Sequence, residues 1–184
     1  MKAPIMSHIA FSSKGFFMRL FQTCLFLATF ALLTNVSHAD EVKQGDKAPD
    51  FKASNIEGET VKLSDWVGEK KMVVVFSRAH WCPFFMRQLK ELSNHYEDIS
   101  KAGGEVIVVF REDKDGAEGL KKSQKTGATK FPLLLDLGAK EIADYSTTGY
   151  TTYIIGKDGT VENILAGKKS KRPSAHAIIE AVKK

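Results

Sequence analysis

The pattern of apolar and polar positions divides the chain into strands and helices from residue 40 onward. A polar, turn-rich entry segment carries Gly45 and Pro49 and leads into short strands around Phe51 and over Val61–Leu63, which flank a turn at Gly58. Ser64 and Asp65 then start a helical turn that carries Trp66. Met72–Phe76 is a continuous valine-rich apolar run, which predicts a strand buried on both faces. Met86, Leu89, Leu92, Tyr96 and Ile99 recur every three or four residues, so they predict one long amphipathic helix. Pro83 suits its first position and Gly103-Gly104 its end. A second buried strand covers Val106–Phe110, and a polar helix with Leu120 as its one large apolar residue covers 115–126, stopped at Gly127. Phe131-Pro132 opens a strand at Leu133–Leu135, and a short helix follows at Lys140–Tyr145. Tyr153–Ile155 pairs with Val161–Leu165 across Lys157-Asp158-Gly159, a hairpin turn sequence. Ser174–Val182 closes the chain as an amphipathic helix. Strands alternating with helices predict an α/β sandwich around a central sheet, its crossover helices on the sheet faces.

The first 39 residues follow a different pattern. Lys2, Lys14 and Arg19 supply positive charge with no Asp or Glu, and Leu20–Leu33 is an uncharged, mostly apolar run. It exits through Ser37-His38-Ala39, a small-x-small end before Asp40. These are the three parts of a secretory signal peptide, and the apolar run is shorter than the roughly 20 residues that span a bilayer. Met18 offers an alternative start. The expectation is a cleaved signal over 1–39, a single domain over 40–184, export to the periplasm or medium, and no lasting membrane anchor.

Composition changes the picture at two points. Hydrophobic residues at 43% and charged residues at 27% fit a globular domain rather than a disordered one. The net charge of +5 would suit a nucleic-acid partner. Loss of 1–39 removes three of the 27 basic residues and none of the 22 acidic ones, leaving +2, so no nucleic-acid partner is expected. Loss of 1–39 also removes Cys24. Cys82 is then the sole cysteine, and no internal disulfide can close.

Trp81-Cys82-Pro83 lies where the buried strand gives way to the long helix. A sulfur there faces the first-turn N–H groups, those of Phe84 and Phe85, and the positive end of the helix dipole. Arg78 and Arg87 bring positive side chains within reach along the sequence. All of these favour thiolate over thiol. His80 and Cys82 are metal-ligating residue types, but two ligands are too few and no third is indicated, so neither a metal nor a cofactor is expected. The basic run Lys168–Arg172 and the carboxylates Glu112, Asp113 and Asp115 are expected to be solvated loops.

Several stretches in order resemble the peroxiredoxin-like (AhpC/TSA, redoxin) branch of the thioredoxin-fold superfamily. They are Gly45–Phe51, Val73–Phe84, Arg87-Gln88-Leu89, Phe131–Asp136 and Tyr153–Gly159, and together they span nearly the whole of 40–184. The resemblance implies a thioredoxin-like, peroxiredoxin-type α/β fold with a central mixed sheet and helices on both faces. It also implies that Cys82 is the reactive cysteine, attacking peroxide or a disulfide, with Trp81, Pro83, Arg78 and Arg87 as supporting residues. The departures matter equally. Phe85 replaces the second cysteine of W-C-P-x-C relatives, and Val75 and Ala79 stand where peroxiredoxins carry proline and threonine. The family's further arginine would fall near Tyr150, and Thr151-Thr152 stands where a thioredoxin carries its cis-proline. The resemblance therefore implies a slow one-cysteine peroxidase that depends on an external thiol. Two alternatives stay open: a binding module presenting Phe84 and Phe85, and intermolecular disulfide exchange, including a homodimer through Cys82.

Overall fold

The computed structural model describes residues 41–137, 142, 145 and 149–184. The signal peptide expected over 1–39 lies outside the described residues, as does most of the helix expected over 140–145. The strands are β1 (Lys52–Ser54), β2 (Thr60–Lys62), β3 (Lys71–Ser77), β4 (Gly104–Phe110), β5 (Leu133–Leu135), β6 (Thr152–Ile155) and β7 (Val161–Leu165). The helices are α1 (Pro83–Asn94), α2 (Tyr96–Lys101), α3 (Ala117–Gly127) and α4 (Ala175–Val182), and a 3-10 turn covers Leu63–Asp65.

The strands form one mixed sheet in the order β2-β1-β5-β4-β3-β6-β7. The buried runs predicted from Met72 and Val106 are its central pair, parallel from Lys71 opposite Gly104 to Ser77 opposite Phe110. Their alternating side chains feed two cores. Val73, Val75, Val106, Val108 and Phe110 face one way, onto Phe85, Leu89 and Leu92 of α1, Ile99 of α2, Leu120 of α3 and Ile178 of α4. Met72, Val74, Phe76, Ile107 and Val109 face the other, onto Val42, Phe51, Leu63, Ile142 and Tyr145. Both faces are covered, as a near-continuous apolar strand requires. All four described helices bury their apolar sides in the first core.

The hairpins and strands lie where the sequence predicts them, and two helix boundaries differ. The long helix is two helices, broken at His95 (φ −106°, ψ 12°). Just before the break, the Ser93 hydroxyl donates to the Leu89 carbonyl at 2.9 Å, a side-chain bond that competes for a helix acceptor. The buried face of α1 is Phe85, Gln88, Leu89 and Leu92 rather than a stripe through Met86, which is half-buried. Gly127 does not stop α3 either. Ala128 is the left-handed residue after the helix (φ 49°, ψ 44°), and Gly127 is its last helical residue. A Cβ on Gly127 would stand 2.8 Å from Leu89 Cδ2, so glycine there serves the close approach of α3 to α1.

Candidate functional site

The carboxyl ends of β3 and β4 place the site. The parallel ladder runs on past both strands: Arg111 N–H donates to Ser77 O at 2.9 Å, and Glu112 N–H to Arg78 O at 2.7 Å. The segments 78–82 and 111–113 therefore lie side by side. Loops at the carboxyl edge of parallel strands are where α/β sheets carry their chemistry. Cys82 ends the first of these loops and is the N-cap residue of α1, with Pro83 exposed at the first helical position.

Cys82 is 1% exposed. Its backbone is pinned by Cys82 N–H to Ala79 O at 3.1 Å and Met86 N–H to Cys82 O at 3.0 Å. Its side chain accepts no capping hydrogen bond. The sulfur therefore sits at the helix start, as expected, without a hydrogen bond from the first-turn N–H groups. The group on the sulfur is Arg172, whose Nη2 stands 3.9 Å from Sγ. Arg172 Nη1 donates to Gly149 O at 2.8 Å. Its guanidinium lies over the rings of Phe85 at 5.5 Å and Tyr150 at 5.0 Å. Burial pulls the Arg172 guanidinium down from its usual range, and the charge and hydrogen bond of Cys82 push back. An arginine remains charged under such a shift, so a cation sits at the sulfur.

Arg78 and Trp81 form the outer wall. Arg78 Nε lies 2.8 and 2.9 Å from the two Glu112 carboxylate oxygens, and Nη2 lies 2.6 Å from Oε2. Its guanidinium stacks 4.9 Å from the Trp81 ring centre, and Trp81 is 52% exposed. The hydrogen bonds that Arg78 donates to Glu112, and then the carboxylate's charge, raise the Arg78 guanidinium further, while Arg78 holds the Glu112 carboxyl below its usual value. A depressed carboxyl contributes stability above its unfolded pKa, and that contribution is lost as pH falls through the folded value. Glu112→Gln is therefore expected to destabilise the protein at pH 7, by an amount that shrinks as pH falls below the ordinary glutamate value of about 4.3. Urea titrations at pH 7 and pH 3.5 measure both arms. Arg87 plays no part here. It is exposed on α1 and makes no hydrogen bond or ion pair among the described residues.

Two loops expected to be solvated are so only in part. Asp113 is fully buried and accepts from the His80 backbone N–H at 2.8 Å, while its carboxylate lies 3.0 Å from His80 Nδ1 and 3.3 Å from the Asp115 N–H. Asp115 pairs with Lys122 at 2.7 Å. Donor atoms of His80, Asp113 and Asp115 lie within 4.8 Å of one another. The sequence paired His80 with Cys82, whereas the fold pairs it with these carboxylates. Their oxygens are already engaged, so the cluster is a clamp on the loop entering Trp81-Cys82. In the basic run, Arg172 is partly buried against Cys82, while Lys168 to Lys171 are exposed as expected.

A surface built on Phe84 and Phe85 is also excluded. Phe85 is fully buried, edge-on to Phe110 at 5.0 Å, and Phe84 is half-buried. Trp81 is the exposed aromatic. Arg172 was not singled out from its neighbours in the sequence, where the one available signal is an arginine directly before Pro173 and the Ser174 helix cap.

The AhpC/TSA family matches residues 44–164. The chain belongs to the AhpC/TSA family. Among its relatives, "Thiol-disulfide oxidoreductase ResA" of Bacillus cereus (strain ZK / E33L) is 28% identical over 133 residues, covering 72% of this chain and 75% of the relative. "Peroxiredoxin Q, chloroplastic" of Oryza sativa subsp. japonica is 31% identical over 132 residues, 67% of this chain and 59% of that protein. Among solved structures, peroxidoxin BcpB from Mycobacterium tuberculosis superposes with a TM-score of 0.66 at 17% identity, over 78% of this chain and 97% of that one. A putative thiol:disulfide interchange protein DsbE from Chlorobium tepidum gives 0.62 at 23% identity, over 77% and 99%. The AhpC/TSA chain thus has the thioredoxin-like α/β fold that its sequence resembles, with a mixed sheet. Arg172, from a different segment, stacks on Tyr150, the position near which the family's further arginine would fall.

Proposed function

We propose that this AhpC/TSA protein is an exported, periplasmic or secreted thiol-dependent oxidoreductase of the one-cysteine peroxiredoxin type. The Cys82 thiolate attacks the terminal oxygen of a hydroperoxide. An S–O bond forms, the O–O bond breaks, and the leaving alkoxide or hydroxide takes a proton from solvent. Cys82 is left as sulfenic acid, and an external thiol returns it to the thiol. The observation that carries this reading is the Arg172 guanidinium 3.9 Å from Sγ. A fixed cation beside the sulfur stabilises negative charge developing on the adjacent oxygen. Family membership and relatives named as thiol-disulfide oxidoreductases and peroxiredoxins support the same chemistry.

The test is the rate of Cys82 oxidation in the full chain carrying Cys24→Ser, followed by intact mass against hydrogen peroxide concentration. The expected result is addition of one oxygen, faster than on a free small thiol and reversed by added thiol. A rate no greater than that of a free thiol would refute peroxidase activity and leave the fold assignment intact.

One observation favours a second reading, disulfide exchange with another protein or with Cys82 of a second copy. The half-exposed Trp81 offers an apolar contact directly beside a buried thiol that forms no disulfide among the described residues. Mild oxidation followed by a non-reducing gel separates the two readings, because a sulfenic end state leaves no covalent dimer or adduct.

A further inference from the structure

Arg111 lies directly after β4 and is 2% exposed. Its guanidinium stands 4.3 Å from the centre of the Phe76 ring, and its Nη2 donates to the Ile142 carbonyl at 2.6 Å. The other two nitrogens, Nε and Nη1, are buried and have no hydrogen-bond partner. Asp136 attracts the guanidinium through charge and bonds neither of them. Burial pulls Arg111 below its usual range, but an arginine stays charged under such a shift. A buried cation with two unmade hydrogen bonds is costly, and the chemistry at Cys82 does not use it.

Arg111 also lines a cavity. The space measures about 670 Å³, and its wall is made by Trp81, Arg111, Glu112, Lys114, Asp115 and Leu137. That volume falls within the range of small-molecule sites. Trp81 and Leu137, 52% and 44% exposed, are the exposed large hydrophobic residues among the described ones, and both stand on this wall. Stacking of Arg78 on the Trp81 ring at 4.9 Å holds that side in place. The charges around the cavity are uneven. Glu112 is spent on Arg78, and Asp115 on Lys122. Lys114 is exposed and makes no ion pair among the described residues. The two charges left for a ligand are therefore cations, Arg111 and Lys114.

We propose that this cavity binds a small organic monoanion, a carboxylate carried on an aliphatic or aromatic body. The body lies between Trp81 and Leu137, and the carboxylate accepts from Arg111 and faces Lys114. Both free nitrogens of Arg111 are shielded from water in this conformation, so the guanidinium turns toward the cavity as the ligand enters. An apolar body matches the two exposed hydrophobic walls, and a carboxylate supplies the acceptor that the guanidinium lacks. A dianion would press its second charge against Glu112 and Asp115. Binding needs no chemistry at Cys82, so the site stands or falls apart from the peroxidase reading.

The test uses octanoate, octanol and octylammonium, which share one tail and differ in the charge of the head. Each is titrated into the full chain carrying Trp66→Phe, in which Trp81 is the one tryptophan and its fluorescence reports binding. Octanoate is expected to bind about ten-fold or more tightly than octanol, the gain of a charge-assisted hydrogen bond, and octylammonium more weakly than either. Leu137→Ala should weaken octanoate and octanol alike. Lys114→Gln should weaken octanoate a few-fold and leave octanol unchanged. Arg111→Met should erase the preference for octanoate, with circular dichroism checking the fold because Arg111 also packs on Phe76. A second measurement leaves Arg111 in place. 2-Bromooctanoate carries a heavy atom beside its carboxylate and should quench Trp81 saturably, with octanoate competing. It should not quench Trp66 in a Trp81→Phe protein, since Trp66 lines other cavities. Equal affinity for octanoate and octanol, or saturable quenching of Trp66 in place of Trp81, would overturn the site. So would a preference for octanoate that survives in folded Arg111→Met.

Discussion

Replacing Arg172 by methionine slows the reaction of Cys82 with hydrogen peroxide on the order of 10²-fold, the loss expected when one charge-stabilising donor leaves a reacting centre. The argument rests on how few groups reach the sulfur. Cys82 is 1% exposed, accepts no bond from the α1 N–H groups, and meets the Arg172 Nη2 at 3.9 Å. Arg78, the other nearby cation, is committed to Glu112 through both carboxylate oxygens. Methionine fills much of the same space against Phe85 and Tyr150, so thermal stability should change far less than the rate. Arg172→Lys keeps the charge but loses the planar fork that bonds Gly149 O and stacks on both rings, so it should restore only part of the rate. Intact mass against peroxide concentration measures all three proteins. Wild-type rates in Arg172→Met would remove the guanidinium from the mechanism.

The second large effect lies at Gly119, in the first turn of α3. A Cβ added there would stand 2.2 Å from Asp113 Oδ1 and 2.5 Å from its Cγ. Asp113 cannot swing aside cheaply, because it is fully buried and bonded to the backbone and ring of His80 and to Asp115 N–H. Gly119→Ala is therefore expected to cost about 1–3 kcal/mol, the range for forcing extra atoms into a filled site. It should also slow Cys82, since His80 anchors the loop that carries it. Urea unfolding monitored by circular dichroism gives the first quantity and peroxide reactivity the second. The double variant Gly119→Ala/Asp113→Ser identifies the cause. If the clash is with the carboxylate, adding Gly119→Ala to Asp113→Ser should cost little, a strong departure from additivity. Full additivity would show that the cost lies in α3 itself.

The same residue pair marks a boundary in what the chain discloses by itself. Strand positions, the β6–β7 hairpin, the Ser174 cap and Cys82 at a strand-to-helix junction were legible, because each depends on neighbours a few residues away. Apolar runs, a period near 3.6 and turn dipeptides are local signals. The departure at Tyr150 was visible only against the family that the sequence resembles. The break at His95 and the role of Gly127 were less legible, since α1 is shaped by the sheet and by α3 packing onto Leu89.

What only the tertiary structure decided are the partners. Arg172 is 90 residues from Cys82 in sequence, Glu112 is 34 from Arg78, and Asp113 is 33 from His80. No local pattern separates a lysine facing water from an arginine facing a thiol in the run 168–172, or a solvated aspartate from a fully buried one in 112–115. The parallel register of β3 on β4 and the return of the chain through β7 make those choices. By itself the sequence pointed to Cys82 as the candidate and to the kind of scaffold that holds it. The fold determined which charge stands beside it, because electrostatic partnership depends on distance through space and on burial, and neither is written in the spacing of residues along a chain.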